Sequence, residues 1–378
     1  MASIMIGGLH FVLDWRGRVV DKPADQPQWA YLSYPSVLED EGLFKMWFAS
    51  WPHDFIYYAQ SASLFGQYTW NPSEQAITPG PCDAEVPRQG ADPPMCSYKV
   101  VRYSPAQFGD PNIWPCPYTT EHKLSVKDSF LTANPCVLKA DVGGGQFRYY
   151  MWFTGTSNGG GKYNSIFFAE STDGKTWMKK YRQVPNPNGT IGLCAPFIQA
   201  QVPERCDARN GYCAGESSVI QLPDRFYHYY TDTTVPEGEF TYRLIRMTGP
   251  FTLDGWPSKQ VLGLGPYGSW SVRYHVPTGR MVAFSSANEQ GLRISVSEPL
   301  SSSPDAAYHF ADPITVSIAD LGVTYPGAPG GLATRIKEGG LLSDRTGWIR
   351  GRDSAYFFGY GLESDSTWSI GALQVTLA

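Results

Sequence analysis

One phrase of sequence recurs five times along this chain, and the recurrence restricts the fold more than any other feature. An apolar strand opening, a turn, an aromatic strand, a polar loop and a third strand follow one another in constant order. Tyr34-Pro35-Ser36-Val37-Leu38 leads into Leu43-Phe44-Lys45-Met46-Trp47-Phe48 and then Phe55-Ile56-Tyr57-Tyr58. Asn134-Pro135-Cys136-Val137-Leu138 leads into Phe147-Arg148-Tyr149-Tyr150-Met151-Trp152-Phe153 and then Ser165-Ile166-Phe167-Phe168. A third copy runs from Glu216-Ser217-Ser218-Val219-Ile220 into Arg225-Phe226-Tyr227-His228-Tyr229-Tyr230. Fainter copies have Arg280–Ser286 and Ser354–Tyr360 as their aromatic strands. Units of this size cannot bury both faces alone, so they pack against one another around a shared axis. The expected fold is an all-β, five-bladed β-propeller, taken as a single domain over residues 1–378. Leu9-His10-Phe11-Val12-Leu13 is left over and is expected to close the ring as an outer strand of the last blade.

Composition agrees. Of 378 residues 14% are aromatic, and 39 Gly and 30 Pro supply turns, while no long stretch carries helical apolar spacing. A net charge of −5 without a dense Lys/Arg cluster gives no footprint for nucleic acid. No apolar run is long enough to span a bilayer, and the first residues do not read as a signal peptide. The sequence leaves the oligomeric state open.

Cys82, Cys96 and Cys116 lie in a Pro-rich insertion at about 78–125, and Cys194, Cys206 and Cys213 in another at about 185–213. Neither group has zinc-site spacing, and long loops with little core gain most from a covalent clip, so disulfides and a secreted or periplasmic location are expected. Reduced thiols are the alternative. Ser171-Thr172-Asp173-Gly174-Lys175-Thr176-Trp177 reads as a hairpin turn with Trp177 folded over the blade edge, a scaffold feature. The glycine triplets at 143–145 and 159–161 lack a following Lys-Ser/Thr helix and read as turns.

In a propeller the first strand of every blade starts beside the axis, and the loop between second and third strands lies on the same face. Aligning the copies gives an axial column of Tyr34, Asn134, Glu216, Ser269 and Ala328, with Glu216 its only acid. The loops add His53, Asp54, Asp232, Glu237, Asn288, Glu289 and Glu363. Trp51, Trp270 and Tyr360 are candidates to stack on sugar faces, although most aromatics here must be core.

The Pro-Ser-Val opening, the Lys-Met-Trp-Phe and Tyr-Met-Trp-Phe strands and the segment Ala169–Trp177 resemble the five-bladed propeller glycoside hydrolases, the group holding families 43, 32, 68 and 130. The resemblance implies an acidic residue on each of the first three axial strands, with the third as proton donor. Glu216 matches the third position. Tyr34 and Asn134 stand where the first two carboxylates belong, so Asp54 or Asp232 is expected to supply the second carboxyl group that glycoside hydrolysis needs. Tyr34, Trp51, His53, Asn134, Trp270, Arg273 and Tyr360 are the expected substrate contacts.

The expected activity is therefore a glycosidase acting on a polysaccharide, with furanose sugars such as arabinan in view, needing no cofactor. An axial cation has room, but no ligand cluster compels one. Each residue also has a structural reading: Glu216 as half of an ion pair with Arg273 or Arg243, and Asp232 as the cap of a turn. The alternatives for the whole chain are a propeller that binds glycan without cleaving it, or a lyase using Tyr34 or His53 as proton shuttle.

Overall fold

The computed structural model describes residues 1–21, 31–51, 55–77, 131–141, 145–156, 164–180, 182–185, 191–194, 198, 200, 205, 212–223, 225–234, 241–248, 258–262, 270–287, 289–303, 306–326, 328–362 and 368–378. Most of the two cysteine-bearing insertions lies outside them.

Among these residues, five sheets of four or five strands form the blades. Blade I runs from Tyr31–Asp40 through Leu43–Trp51 and Phe55–Ser61 to Thr69–Ile77. Blade II runs from Leu131–Asp141 to Met178–Lys180, blade III from Ala214–Gln221 to Ser258–Leu262, and blade IV from Ser271–His275 to Ile314–Ser317. Blade V begins at Arg335–Leu341, continues through Asp353–Gly361 and Ser369–Leu377, and is completed by the N-terminus. Leu9–Val20 pairs antiparallel with Ser369–Leu377, Phe11 opposite Leu377, and Ala2–Ile6 adds a fifth strand outside it. The chain ends thus share one sheet, which closes the ring as the leftover strand suggested.

The aromatic strands show why the ring closes. Their apolar runs are continuous rather than alternating because both faces of each blade are covered. Met46 and Phe48 pack towards blade V, whereas Trp47 between them packs towards blade II. Trp152 and Tyr230 share the interface of blades II and III, and Tyr229 and Met281 that of blades III and IV. Phe11, Phe284 and Tyr356 fill the one between blades IV and V. The five apolar clusters correspond to five successive interfaces, and each large side chain buried in one contributes roughly 1.5–3 kcal/mol.

Polar contacts near the axis fix the angle between blades. Ser36 Oγ accepts from Val137 N at 3.0 Å, Cys136 Sγ from Val219 N at 3.2 Å, Ser218 Oγ from Val272 N at 2.8 Å and Ser271 Oγ from Leu341 N at 2.9 Å. Each first strand is thereby tied to the next. At the fifth junction a Cβ on Gly340 would lie 2.0 Å from the Pro35 carbonyl oxygen, so only glycine lets blades V and I approach this closely. Cys136, a buried free thiol, is a member of this ring.

A turn of chain closes one end of the axis. Ser343–Asp344 pairs parallel to Leu38–Glu39 of blade I. The Arg345, Thr346 and Gly347 carbonyls then accept from Lys139 N, Gln221 N and Tyr274 N of blades II, III and IV, at 2.8, 2.9 and 3.1 Å. Trp348–Ile349 finally pairs parallel to Tyr274–His275. Seven residues thus visit four blades in order.

Candidate active site

At the opposite end of the first strands the chain is locally strained. Tyr34-Pro35, Asn134-Pro135 and Glu216-Ser217 are each a two-residue bulge facing a single residue of the second strand. Tyr34, Asn134 and Glu216 take positive φ, at 54°, 51° and 60°. Left-handed backbone at a non-glycine residue costs roughly 1–3 kcal/mol and gathers at functional sites. Here it re-aims three side chains at equivalent places around one axis.

Blade V has a matching bulge at Lys337-Glu338, because Ile336 pairs with Tyr360 and Gly339 with Phe358. The fifth axial position therefore does not belong to Ala328, which precedes the short turn Pro329–Gly331. The sequence reading was displaced because blade V inserts the axis-closing segment between its first and second strands, where the other blades have a turn. Ser269 lies outside the described residues, and Trp270 beside it is a wall of the axial pocket.

That pocket is lined by Tyr34, Asn134, Glu216, Trp270, Arg273 and Gly340, among others. Arg273 is 2% exposed and aims Nη1 at Ser218 Oγ (2.9 Å) and the Val272 carbonyl (2.8 Å). Its guanidinium is thus committed to the strand edge below Glu216.

Glu216 is held from two blades. Its backbone N–H donates to Thr154 Oγ1 of blade II at 2.8 Å, and its Oε2 accepts from Thr231 Oγ1 at 2.8 Å. The buried Tyr212 hydroxyl lies within hydrogen-bonding reach of the carboxyl. Gly215 makes room for this grip, since a Cβ there would sit 2.5 Å from Tyr212 Oη and 2.7 Å from Thr154 Oγ1. The residue keeps some exposed surface, but burial of its carboxyl dominates its proton affinity. Desolvation first, and the charge of Glu338 second, push its pKa from 4.5 up to about 8; Thr231, Tyr212 and Lys337 oppose the rise. Beneath it, His228 Nε2 meets Ser217 Oγ at 2.8 Å, and burial drives the imidazole pKa down to about 3, so this histidine stays neutral near pH 7.

Glu338 had no sign in the repeat pattern. Its Oε2 is buried and has no hydrogen-bond partner among the described residues. Neighbouring Lys337 is ion-paired with Glu289, which also takes Arg335 Nη1 at 2.8 Å.

Of the remaining expected residues, Asp232 and Tyr360 are described, and neither lines the pocket. Asp232 is fully buried, and its Oδ1 accepts from Thr234 N (2.9 Å) and Thr234 Oγ1 (2.6 Å), the arrangement of a turn cap. Tyr360, 1% exposed, packs edge-on to Trp15 and Tyr325 with centroids 5.1 and 5.7 Å away, within the core of blade V. Trp51 ends the strand Leu43–Trp51, but its side chain is outside the described set, as are His53, Asp54, Glu237, Asn288 and Glu363. The side chain of Arg243 is likewise outside it. Among the described residues no three His, Cys, Asp or Glu side chains gather in a group that would hold a metal.

No family model matches the sequence, and no curated protein aligns with it. Solved structures do match. The catalytic domain of a family 62 α-L-arabinofuranosidase from Coprinopsis cinerea superposes with a TM-score of 0.56 at 11% identity, covering 97% of each chain. An α-L-arabinofuranosidase from Podospora anserina, in complex with cellotriose, gives 0.54 at 12% identity, over 96% of this chain and 97% of that one. A family 117 glycoside hydrolase from Zobellia galactanivorans gives 0.53 at 9% identity, over 97% and 90%. The likeness is one of fold. It covers nearly the whole chain.

Proposed function

We propose that this propeller is a glycoside hydrolase acting on a polysaccharide with furanose sugars, arabinan being the first to test, and that Glu216 is its proton donor. The observation that carries the reading is the Glu216 carboxyl itself. It sits at the propeller axis on a strained bulge whose backbone N–H is held by Thr154, accepts a hydrogen bond from Thr231, and has a pKa raised to about 8. A carboxylic acid that keeps its proton near neutral pH is what departure of a sugar oxygen requires. The fold neighbours that are arabinofuranosidases support the substrate class.

Tyr34 and Asn134 line the same pocket from blades I and II, placed to hydrogen-bond sugar hydroxyls, and Trp270 supplies an aromatic wall. Asp54 stays a candidate for the second carboxyl by its place in the sequence. Asp232 serves the site indirectly, by capping the turn after its strand. A carbohydrate is the proposed partner. Export to the periplasm or outside the cell is also proposed, with Cys213 bridged to a cysteine of its own loop; the disulfide-bonded state of Cys213 supports this.

Tyr34 and Asn134 favour a second reading, a propeller that binds glycan without turnover, since both occupy places where the resembling enzymes carry acids. A reducing-sugar assay over a polysaccharide panel, with E216Q alongside and binding measured separately, separates the two. Activity in the wild type that is lost in E216Q while binding persists supports hydrolysis. Binding with no turnover by either protein replaces it with the lectin reading.

A further inference from the structure

The hydrolase reading leaves its second carboxyl group unplaced. Blades I and II offer Tyr34 and Asn134 at the axis, and Asp232 spends an oxygen on Thr234. We propose that Glu338, on the first strand of blade V, is that carboxyl and acts as the base that activates water against the bond Glu216 protonates. The proposal rests on the hydrolase reading and adds a residue that the sequence repeat did not disclose.

Three observations place Glu338 there. It is the second residue of the blade V bulge, one position past the register of Tyr34, Asn134 and Glu216, and the two residues after it, Gly339 and Gly340, line the same pocket as Glu216. Its Oε2 is buried yet accepts nothing among the described residues, a costly state for an acceptor unless a ligand or water fills it. Its charge acts on both Glu216 and the Tyr212 hydroxyl, so the three groups share one neighbourhood. The adjoining cation, Lys337, is engaged by Glu289. Gly339 N–H donates to Tyr356 Oη at 3.0 Å, which fixes the backbone just beyond the glutamate.

The chemistry divides as the two environments dictate. Glu216 passes its proton to the glycosidic oxygen as the bond from the anomeric carbon to that oxygen breaks. The water oxygen bonds to the anomeric carbon from the opposite face, and its proton goes to Glu338. The two carboxyl groups end with exchanged protonation, which solvent resets, and the sugar leaves with inverted configuration.

The test uses the full chain and 4-nitrophenyl α-L-arabinofuranoside together with arabinan, comparing wild type, E216Q, E338Q and E338A. Thermal unfolding checks that each variant is folded, and E338Q keeps the shape of the side chain should E338A fail. The expected result is a loss of about 10²–10⁴-fold in kcat for both Glu338 variants with KM little changed. Azide should restore turnover to E338A, forming a glycosyl azide of inverted configuration. Folded Glu338 variants that stay within about tenfold of wild type, their pH profile merely displaced, would make Glu338 a tuner of Glu216 and overturn the assignment. So would a folded E338A that azide does not rescue. In both cases a dead E216Q leaves the hydrolase reading standing, whereas a wild type that cleaves nothing in the panel removes both.

Discussion

Trp47 of blade I and Trp177 of blade II donate their indole N–H groups to one carbonyl oxygen, that of Gly174, at 2.7 and 3.0 Å. Their rings meet edge to face, 6.1 Å apart at 83°. The turn that presents Gly174 is built by Asp173, whose Oδ1 accepts from Lys175 N and Thr176 N, both at 2.8 Å. This hairpin is therefore a rivet between blades. Trp177→Ala should cost about 3–5 kcal/mol by emptying a buried site, and Trp47→Phe about 1 kcal/mol for the lost hydrogen bond. Urea unfolding midpoints check both, and an unchanged midpoint for Trp177→Ala would refute the rivet.

The same junction carries a buried charge network. Lys45 Nζ donates to Asp40 Oδ2 at 2.7 Å and to Tyr149 Oη at 2.6 Å, Lys139 reaches both Asp40 oxygens, and the Tyr149 hydroxyl donates to Asp40 as well. Burial raises the Asp40 pKa, but hydrogen bonds from Lys45, Tyr149 and Lys139 together outweigh it and leave the carboxyl below its ordinary value. Asp40→Asn leaves Lys45 and Lys139 with only the exposed Glu41 as carboxylate partner and should cost roughly 1.5–3 kcal/mol near pH 7. A depressed carboxylate contributes stability above its unfolded pKa and loses it as pH falls through the lower folded one. The gap between wild type and Asp40→Asn should accordingly narrow below about pH 4, as guanidine titrations at a series of pH values would show; a gap that widens in acid contradicts the network.

How much of this was legible follows from where the signal lay. The aromatic strands announced the blades because a strand covered on both faces must be apolar throughout, as Met46-Trp47-Phe48 and Tyr150-Met151-Trp152-Phe153 are. The column Tyr34, Asn134, Glu216 followed from the alignment of those copies. The blade V bulge, Lys337-Glu338, did not, because the first strand of blade V has Gly339-Gly340 where blade II has Cys136-Val137, and eleven residues, 342–352, separate it from its aromatic strand. Counting back across a segment that closes the axis demands knowing that it does so. Asp232 misled for the opposite reason: an acid at a strand end looks alike in sequence whether it faces a ligand or caps a turn.

The axis-closing segment makes its own prediction. Asp344 Oδ1 accepts from Thr346 N, Thr346 Oγ1 and Trp348 N at 2.8, 2.7 and 3.0 Å, folding the segment so that its carbonyls meet blades II to IV, and Trp348 Nε1 donates to the Gln221 carbonyl at 2.6 Å. Asp344→Ala strands these donors and should lower stability by about 2–4 kcal/mol while amide exchange quickens at Lys139, Gln221 and Tyr274, whose N–H groups the segment protects. Exchange confined to residues 343–349 themselves would show that the segment lies on the blades without holding them.

Glu216 links activity and stability through one proton. Its folded pKa of about 8 lies above the ordinary 4.5, so between those values the folded chain holds a proton that the unfolded chain has released. Stability from this group is complete below about pH 4.5, falls as pH rises towards 8, and is constantly diminished beyond it. Glu216→Gln carries no proton to lose. Its melting temperature should match the wild type at pH 4 and exceed it by a margin that grows up to about pH 8 and then levels off, while wild-type turnover declines on the alkaline side as the acid ionises. The two curves share a turning point near pH 8, where the stability margin levels off and turnover begins to fall, since a single carboxyl governs them. A variant that gains its advantage in acid instead would mean that Glu216 is folded as an anion, and the proton donor would have to be sought elsewhere on the axis.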